Sequence, residues 1–131
     1  VIGLDTHTLV WWVTSDASLS KKAKLVIERE HAGEEIVVSA ISAWEIAMLV
    51  ERETLAFSMD VEQWLGHVQQ IPGVRFEPID VNVSIKSVKL PGELHKNPAD
   101  RLIVATAGNL AAPLITKGLR IRAYAHVKTI W

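Results

Sequence analysis

Short apolar runs, each followed by a helical stretch, recur along the whole chain, and this alternation restricts the fold more than any other feature. Apolar runs at residues 1–4, 36–39, 114–116 and 127–130, with an alternating stretch at 74–79, read as strands. Between them, residues 7–13, 21–31, 41–53, 61–71, 81–90 and 98–110 read as helices. Ser20 and Asn97-Pro98 supply helix-start signals, while Pro72-Gly73 and Pro91-Gly92 break the chain. Elements in this order predict an α/β fold whose mostly parallel sheet is covered by helices on both faces. With 131 residues and 49% apolar content, the chain is expected to form one domain over residues 1–131.

Ligands in such folds gather at the carboxyl ends of the strands. Three acidic residues stand near that edge as isolated charges in apolar surroundings: Asp5 closing VIGLD, Glu45 inside SAISAWEIAMLV, and Asp100 in NPADRLIVATA. Asp5 and Glu45 reach the edge by simple chain geometry, and Asp100 does so if its helix starts on the same side. Burying an unpaired carboxylate costs several kcal/mol, so a cationic partner is expected to offset it. Each acid also has a structural reading. Asp5 can cap the first helix, Ser42-Ala43-Trp44-Glu45 matches an S-x-x-E capping box, and Asp100 lies in a first helical turn where the dipole favours it. Their recurrence at three junctions is what favours a shared site.

Convergent carboxylates need a proton or a divalent cation to relieve their repulsion. Oxygen-only donors point to Mg²⁺ or Mn²⁺, and the absence of cysteine removes thiolate sites. Such an ion polarises phosphoryl oxygens and activates water, which makes phosphodiester hydrolysis the natural chemistry. Other chemistries lack their residues. There is no H-x-H or H-E-x-x-H, no phosphate-binding G-x-x-x-x-G-K-[ST] or G-x-G-x-x-G, and Asp5-Thr6-His7 lacks the second aspartate of an aspartyl-phosphate phosphatase. With 14 Lys+Arg against 15 Asp+Glu, a nucleic-acid partner must be held by a local basic patch. No basic leader and no run of eighteen uncharged apolar residues is visible, so a soluble, cytoplasmic protein without a membrane partner is the expectation.

The same residues, in the same order, resemble the PIN-domain ribonucleases, and specifically the VapC-type toxins of bacterial toxin–antitoxin pairs. The resemblance rests on DTHTLVWW at 5–12, VSAISAWEIAML at 38–49, NPADRLIVATA at 97–107, PLIT at 113–116 and the terminal HVKTIW, five blocks that span nearly the whole chain. It implies an α/β/α sandwich on a parallel sheet of about five strands. It also implies Mg²⁺- or Mn²⁺-dependent cleavage of RNA to 5′-phosphate and 3′-hydroxyl ends, commonly a homodimer, and an antitoxin whose C-terminal segment occludes the active site. Asp5, Glu45 and Asp100 correspond to the first three acids of the family's quartet. Thr6 and Thr116 resemble its flanking hydroxyls, and Asn97 stands where relatives often carry another acid but reads as a helix cap.

The fourth acid is the departure. The family pattern T-x-D reads Thr116-Lys117-Gly118 here. A second metal is therefore doubtful, and the alternative function is a catalytically silent PIN-fold module that keeps antitoxin or RNA binding. The structural reading of Gly118 is a turn that needs positive φ. Arg101, Lys117, Arg120 and Arg122 lie close to the expected site in sequence and are the candidates for RNA phosphate contacts, with a solvated basic turn as the reading for the last three. His7 and His95 could approach the site, with packing or the surface as the expected place for both. Of the five tryptophans, adjacent Trp11 and Trp12 cannot both face one core on a helix. One of that pair should meet another partner.

Overall fold

In the computed structural model, which describes residues 1–33 and 35–131, five strands form one parallel sheet in the order β3-β2-β1-β4-β5. Strand β1 is Ile2–Leu4, followed by α1 (Thr6–Val13) and α2 (Lys21–Ala32); β2 is Ile36–Ser39, followed by α3 (Ala40–Glu51) and α4 (Val61–Gln70). Then come β3 (Val74–Glu77), α5 (Val81–Val88), α6 (Pro98–Asn109), β4 (Leu114–Ile115), α7 (Leu119–Arg122) and β5 (Thr129–Ile130). Every strand pair is parallel, so each connection must cross over, and the helices do this.

Strands β1, β2 and β4 are buried on both faces, which is why they read as continuous apolar runs. On one face Ile2, Leu4, Ile36, Val38 and Ile115 pack with Leu9 and Val10 of α1, Ile27 of α2 and Val68 of α4. On the other, Leu114 packs with Ile103, Val104 and Ala107 of α6 and Ile121 of α7. Gly3 lies on this second face, where an added Cβ would stand 3.4 Å from Leu114 Cδ1 and 3.9 Å from Ala107 Cβ. The sheet is thus a layer between helices, as expected.

Start signals hold in detail. Ala23 N–H donates to Ser20 Oγ at 3.0 Å, and Asp100 N–H to Asn97 Oδ1 at 3.0 Å. Two expectations change. The third strand stops at Glu77 because Pro78 has no N–H for the ladder. The S-x-x-E capping box is not used: α3 starts earlier, with Ser39 Oγ accepting from Ile41 N–H at 3.2 Å, which leaves Ser42 and Glu45 inside the helix. The short helix α7 had no signal beyond two arginines.

The chain leaves β1 for β2 and β3 on one side, then returns to β4 and β5 on the other. The carboxyl ends of β1 and β4 are therefore neighbours whose following segments diverge. A crevice at such a switch point is where open α/β sheets bind ligands.

Candidate active site

A cavity of about 480 Å³ opens at this switch point, and Asp5, Glu45 and Asp100 all line it, together with Thr6, His7, Trp11, Asn97, Lys117 and Gly118. The assumption that α6 starts on the same side as the strand ends holds. Each acid comes from a different junction, and each is fixed by a different polar group.

Asp5 follows β1 and caps α1, accepting from Thr8 N–H at 3.0 Å through Oδ1. Its second oxygen accepts from the hydroxyl of Thr116, which is fully buried just beyond β4. Capping and site geometry are here one arrangement, because the cap occupies one oxygen and turns the other toward β4. Thr116 Oγ1 in turn accepts from Gly118 N–H at 3.0 Å.

Glu45 accepts from Thr6 Oγ1 at 2.5 Å through Oε1, and the Thr6 hydroxyl also lies 2.8 Å from Ser42 Oγ. Thr6 has a single proton, which the carboxylate takes, so Ser42 donates to Thr6. Burial pushes the Glu45 carboxyl above the ordinary glutamate value of 4.5; the Thr6 hydrogen bond and the His7 charge oppose this, while Asp100 and Asp5 add to it. Asp5 and Asp100 thus lie close enough to Glu45 to be felt as charges. No lysine or arginine among the described residues forms an ion pair with any of the three. Hydroxyls orient Asp5 and Glu45.

Asp100 sits in the first turn of α6 and pairs with His95, Nε2 to Oδ2, at 2.6 Å. The reading of His95 as packing or surface is corrected: its side chain is only 15% exposed and faces an acid of the cavity. His7 also lines the cavity, with its ring 5.7 Å from that of Trp11. Neither histidine belongs to a sequence pattern, because the contacts cross loops with no fixed period.

Side chains among the described residues do not draw together into a group of three that could hold a metal ion as they stand. The donor set nevertheless fits a hard cation. All three groups offer oxygen, and Glu45 and Asp100 each engage a single carboxylate oxygen, leaving the other free of protein partners among the described residues.

The basic residues separate. Lys117 lines the cavity, its Nζ lying 5.7 Å from the centroid of the Trp11 ring. Arg101 does not: its guanidinium donates to Ser87 O at 2.8 Å, Leu94 O at 2.9 Å and Val88 O at 3.3 Å, closing the end of α5. Successive helical residues point in different directions, so Asp100 turns to the cavity and Arg101 to α5. Arg120 and Arg122 are exposed on and around α7 and lie outside the cavity lining. Trp12 packs on the core while Trp11 faces the cavity and the Trp131 ring, 5.9 Å away, which separates the adjacent pair as expected. Gly118 has φ −60°, so the positive-φ reading is corrected; it is the N-cap of α7, without a side-chain cap bond.

The family model described as PIN domain matches residues 2–127. The chain belongs to the PIN-domain family. Within that family it is of the VapC type, being 38% identical over 130 residues to Ribonuclease VapC22 of Mycobacterium tuberculosis, with 98% of this chain and 96% of that protein covered. The PIN fold is likewise shared with VapBC2 from Rickettsia felis bound to a promoter DNA fragment, at TM-score 0.72 and 15% identity over 99% of this chain and 98% of that one. A toxin–antitoxin complex from Klebsiella pneumoniae gives TM-score 0.69 at 19% identity over 100% and 97%.

Proposed function

We propose that this PIN-domain chain is a divalent-metal-dependent endoribonuclease, the toxin of a toxin–antitoxin pair, in which Asp5, Glu45 and Asp100 form the catalytic and metal-binding set. The observation that carries the reading is the convergence of those three acids on one cavity at the switch point between β1 and β4. The relative that is named a ribonuclease, with nearly full-length coverage, supports RNA cleavage over a silent binding module. Structures of VapBC and toxin–antitoxin complexes with the same fold support an antitoxin as partner. A homodimer and a cytoplasmic location follow from the VapC resemblance and belong to the same proposal; no helix among the described residues is long and apolar enough to cross a membrane.

Asp5, Glu45 and Asp100 would hold Mg²⁺ or Mn²⁺, which when bound would supply charge for phosphoryl oxygens and lower the pKa of water. The chain's own residues supply orientation. Thr116 and the α1 backbone hold both oxygens of Asp5, while Thr6, itself held by Ser42, fixes one oxygen of Glu45. Burial first, and Asp100 and Asp5 after it, raise the affinity of Glu45 for a proton, and a bound cation would favour the charged carboxylate against both. Trp11 and Lys117 line the same cavity, the ammonium lying over the indole ring, and offer an aromatic surface for an unpaired base and a charge for a flanking phosphate. Thr116 and Asn97 support the site from outside the donor set, one through Asp5 and the other through the backbone of Asp100.

The test is to incubate the purified, antitoxin-free protein with labelled total RNA in Mg²⁺ or Mn²⁺, beside chelator, Asp5→Asn and Gly118→Asp. Metal-dependent cuts that vanish in Asp5→Asn, with mapped 5′-phosphate ends, are the expected result. Cuts that persist in Asp5→Asn would remove the mechanism, and cuts only in Gly118→Asp would establish the silent module.

A further inference from the structure

His95 lies in the segment between α5 and α6, outside every element that builds the cavity, yet it makes the one side-chain hydrogen bond that Asp100 receives among the described residues. Two observations define what this imidazole does. Its Nε2 stands 2.6 Å from Asp100 Oδ2, and its Nδ1 is buried with no hydrogen-bond partner among the described residues. A carboxylate oxygen accepts, so the proton of the short contact belongs on Nε2; a bare Nε2 would set two acceptors against each other. A proton on Nδ1 would point at nothing. The ring is therefore held with a single useful donor, aimed at one oxygen of one acid.

The orphaned Nδ1 also bears on purpose. Buried polar atoms in folded proteins nearly always find a partner, and those that do not call for an explanation. A leucine or phenylalanine would fill this space without leaving a bare nitrogen, so packing alone does not account for a histidine. Asn97 holds the backbone N–H of the same aspartate at 3.0 Å, so Asp100 is gripped at main chain and side chain by the same short loop. With Oδ2 engaged, Oδ1 is the oxygen left for the cavity.

We infer that His95 is a positioning residue that presents Asp100 to the cation, setting metal affinity through its Nε2–H bond to Oδ2. The inference rests on the proposed role of Asp100 as a metal ligand. Partners that orient ligating groups typically govern affinity by about 10- to 100-fold.

The experiment is a Mn²⁺ titration of the full chain followed by the free-ion electron paramagnetic resonance signal, which reads binding without turnover. The proteins are wild type, His95→Ala, His95→Gln, His95→Asn and Asp100→Asn, each also melted in chelator. Expected are a Mn²⁺ affinity lowered by about 10- to 100-fold in His95→Ala and recovery in His95→Gln, whose amide N–H can stand where Nε2 stands. His95→Asn, too short to reach, should resemble alanine. If alanine fails to fold, the Gln and Asn pair carries the comparison. Wild-type affinity in His95→Ala or His95→Asn, with binding lost in Asp100→Asn, would overturn the positioning role while leaving Asp100 a ligand. Wild-type affinity in Asp100→Asn would instead overturn the ligand assignment, and this inference with it.

Discussion

The Thr116 hydroxyl donates to Asp5 Oδ2 across the switch point of the sheet, joining the carboxyl ends of β1 and β4 although the two residues are 111 positions apart. Thr116 Oγ1 itself accepts from Gly118 N–H at 3.0 Å, so one buried hydroxyl orders both Asp5 and the segment entering α7. Thr116→Val keeps the shape and removes the donor. Stability should fall by about 1–3 kcal/mol, since Gly118 N–H loses its acceptor as well. Urea unfolding in chelator measures that loss, and Mn²⁺ affinity should fall in parallel; an unchanged affinity would assign Thr116 to stability alone.

Glu45 carries a carboxyl whose pKa is raised by burial first and by Asp100 and Asp5 afterwards, against the pull of Thr6 and His7. The sign follows from linkage. In the window above the ordinary value of 4.5 and below the raised folded one, the folded state holds the extra proton, so this group's contribution declines as pH rises and levels off above the folded pKa. Glu45→Gln keeps an acceptor for Thr6 and abolishes that decline. In chelator, the stability of Glu45→Gln relative to wild type should increase from pH 4 toward neutrality, measured by denaturant midpoints, while RNA cleavage is lost. A constant difference across pH would contradict a raised Glu45 carboxyl in the folded state.

Gly118→Asp tests the missing fourth acid. The backbone there has φ −60°, which any residue adopts, and the position is an N-cap with no side-chain bond, a place that favours aspartate. An added Cβ would lie 3.2 Å from Thr116 Oγ1, so the segment must give slightly. The variant should fold with a stability within about 1 kcal/mol of wild type, a small cap gain set against that crowding. Mn²⁺ binding should tighten and cleavage should accelerate. Equal Mn²⁺ affinity in both proteins would mean that this cavity has no place for a fourth carboxylate.

Lys117 and Arg101 should separate cleanly. Lys117→Ala should weaken binding of single-stranded RNA to an Asp5→Asn background and reduce the slope of log affinity against log salt by about 0.7, the share of one phosphate contact. Arg101→Ala should leave that slope unchanged and lower stability by about 2 kcal/mol or more, because three carbonyls lose charged donors. Salt-dependent fluorescence anisotropy and thermal melts give both readouts. A reduced slope in Arg101→Ala would return that guanidinium to the RNA.

Local chemistry determined much of this protein. Apolar strand runs and cap residues such as Ser20 and Asn97 act through neighbours within a few positions, and they set element order and the parallel sheet directly. Isolation in apolar sequence marked Asp5, Glu45 and Asp100, because a charge tolerated near a core needs a reason wherever the chain folds. Tertiary structure alone decided what holds them. Thr116 orients Asp5, Thr6 backed by Ser42 orients Glu45, and the imidazole of His95 takes Asp100, all through contacts whose partners follow no sequence period. It also decided that Asp100 and Arg101, adjacent in the chain, serve different places: the rotation of one helical residue turns the acid into the cavity and the base onto the end of α5.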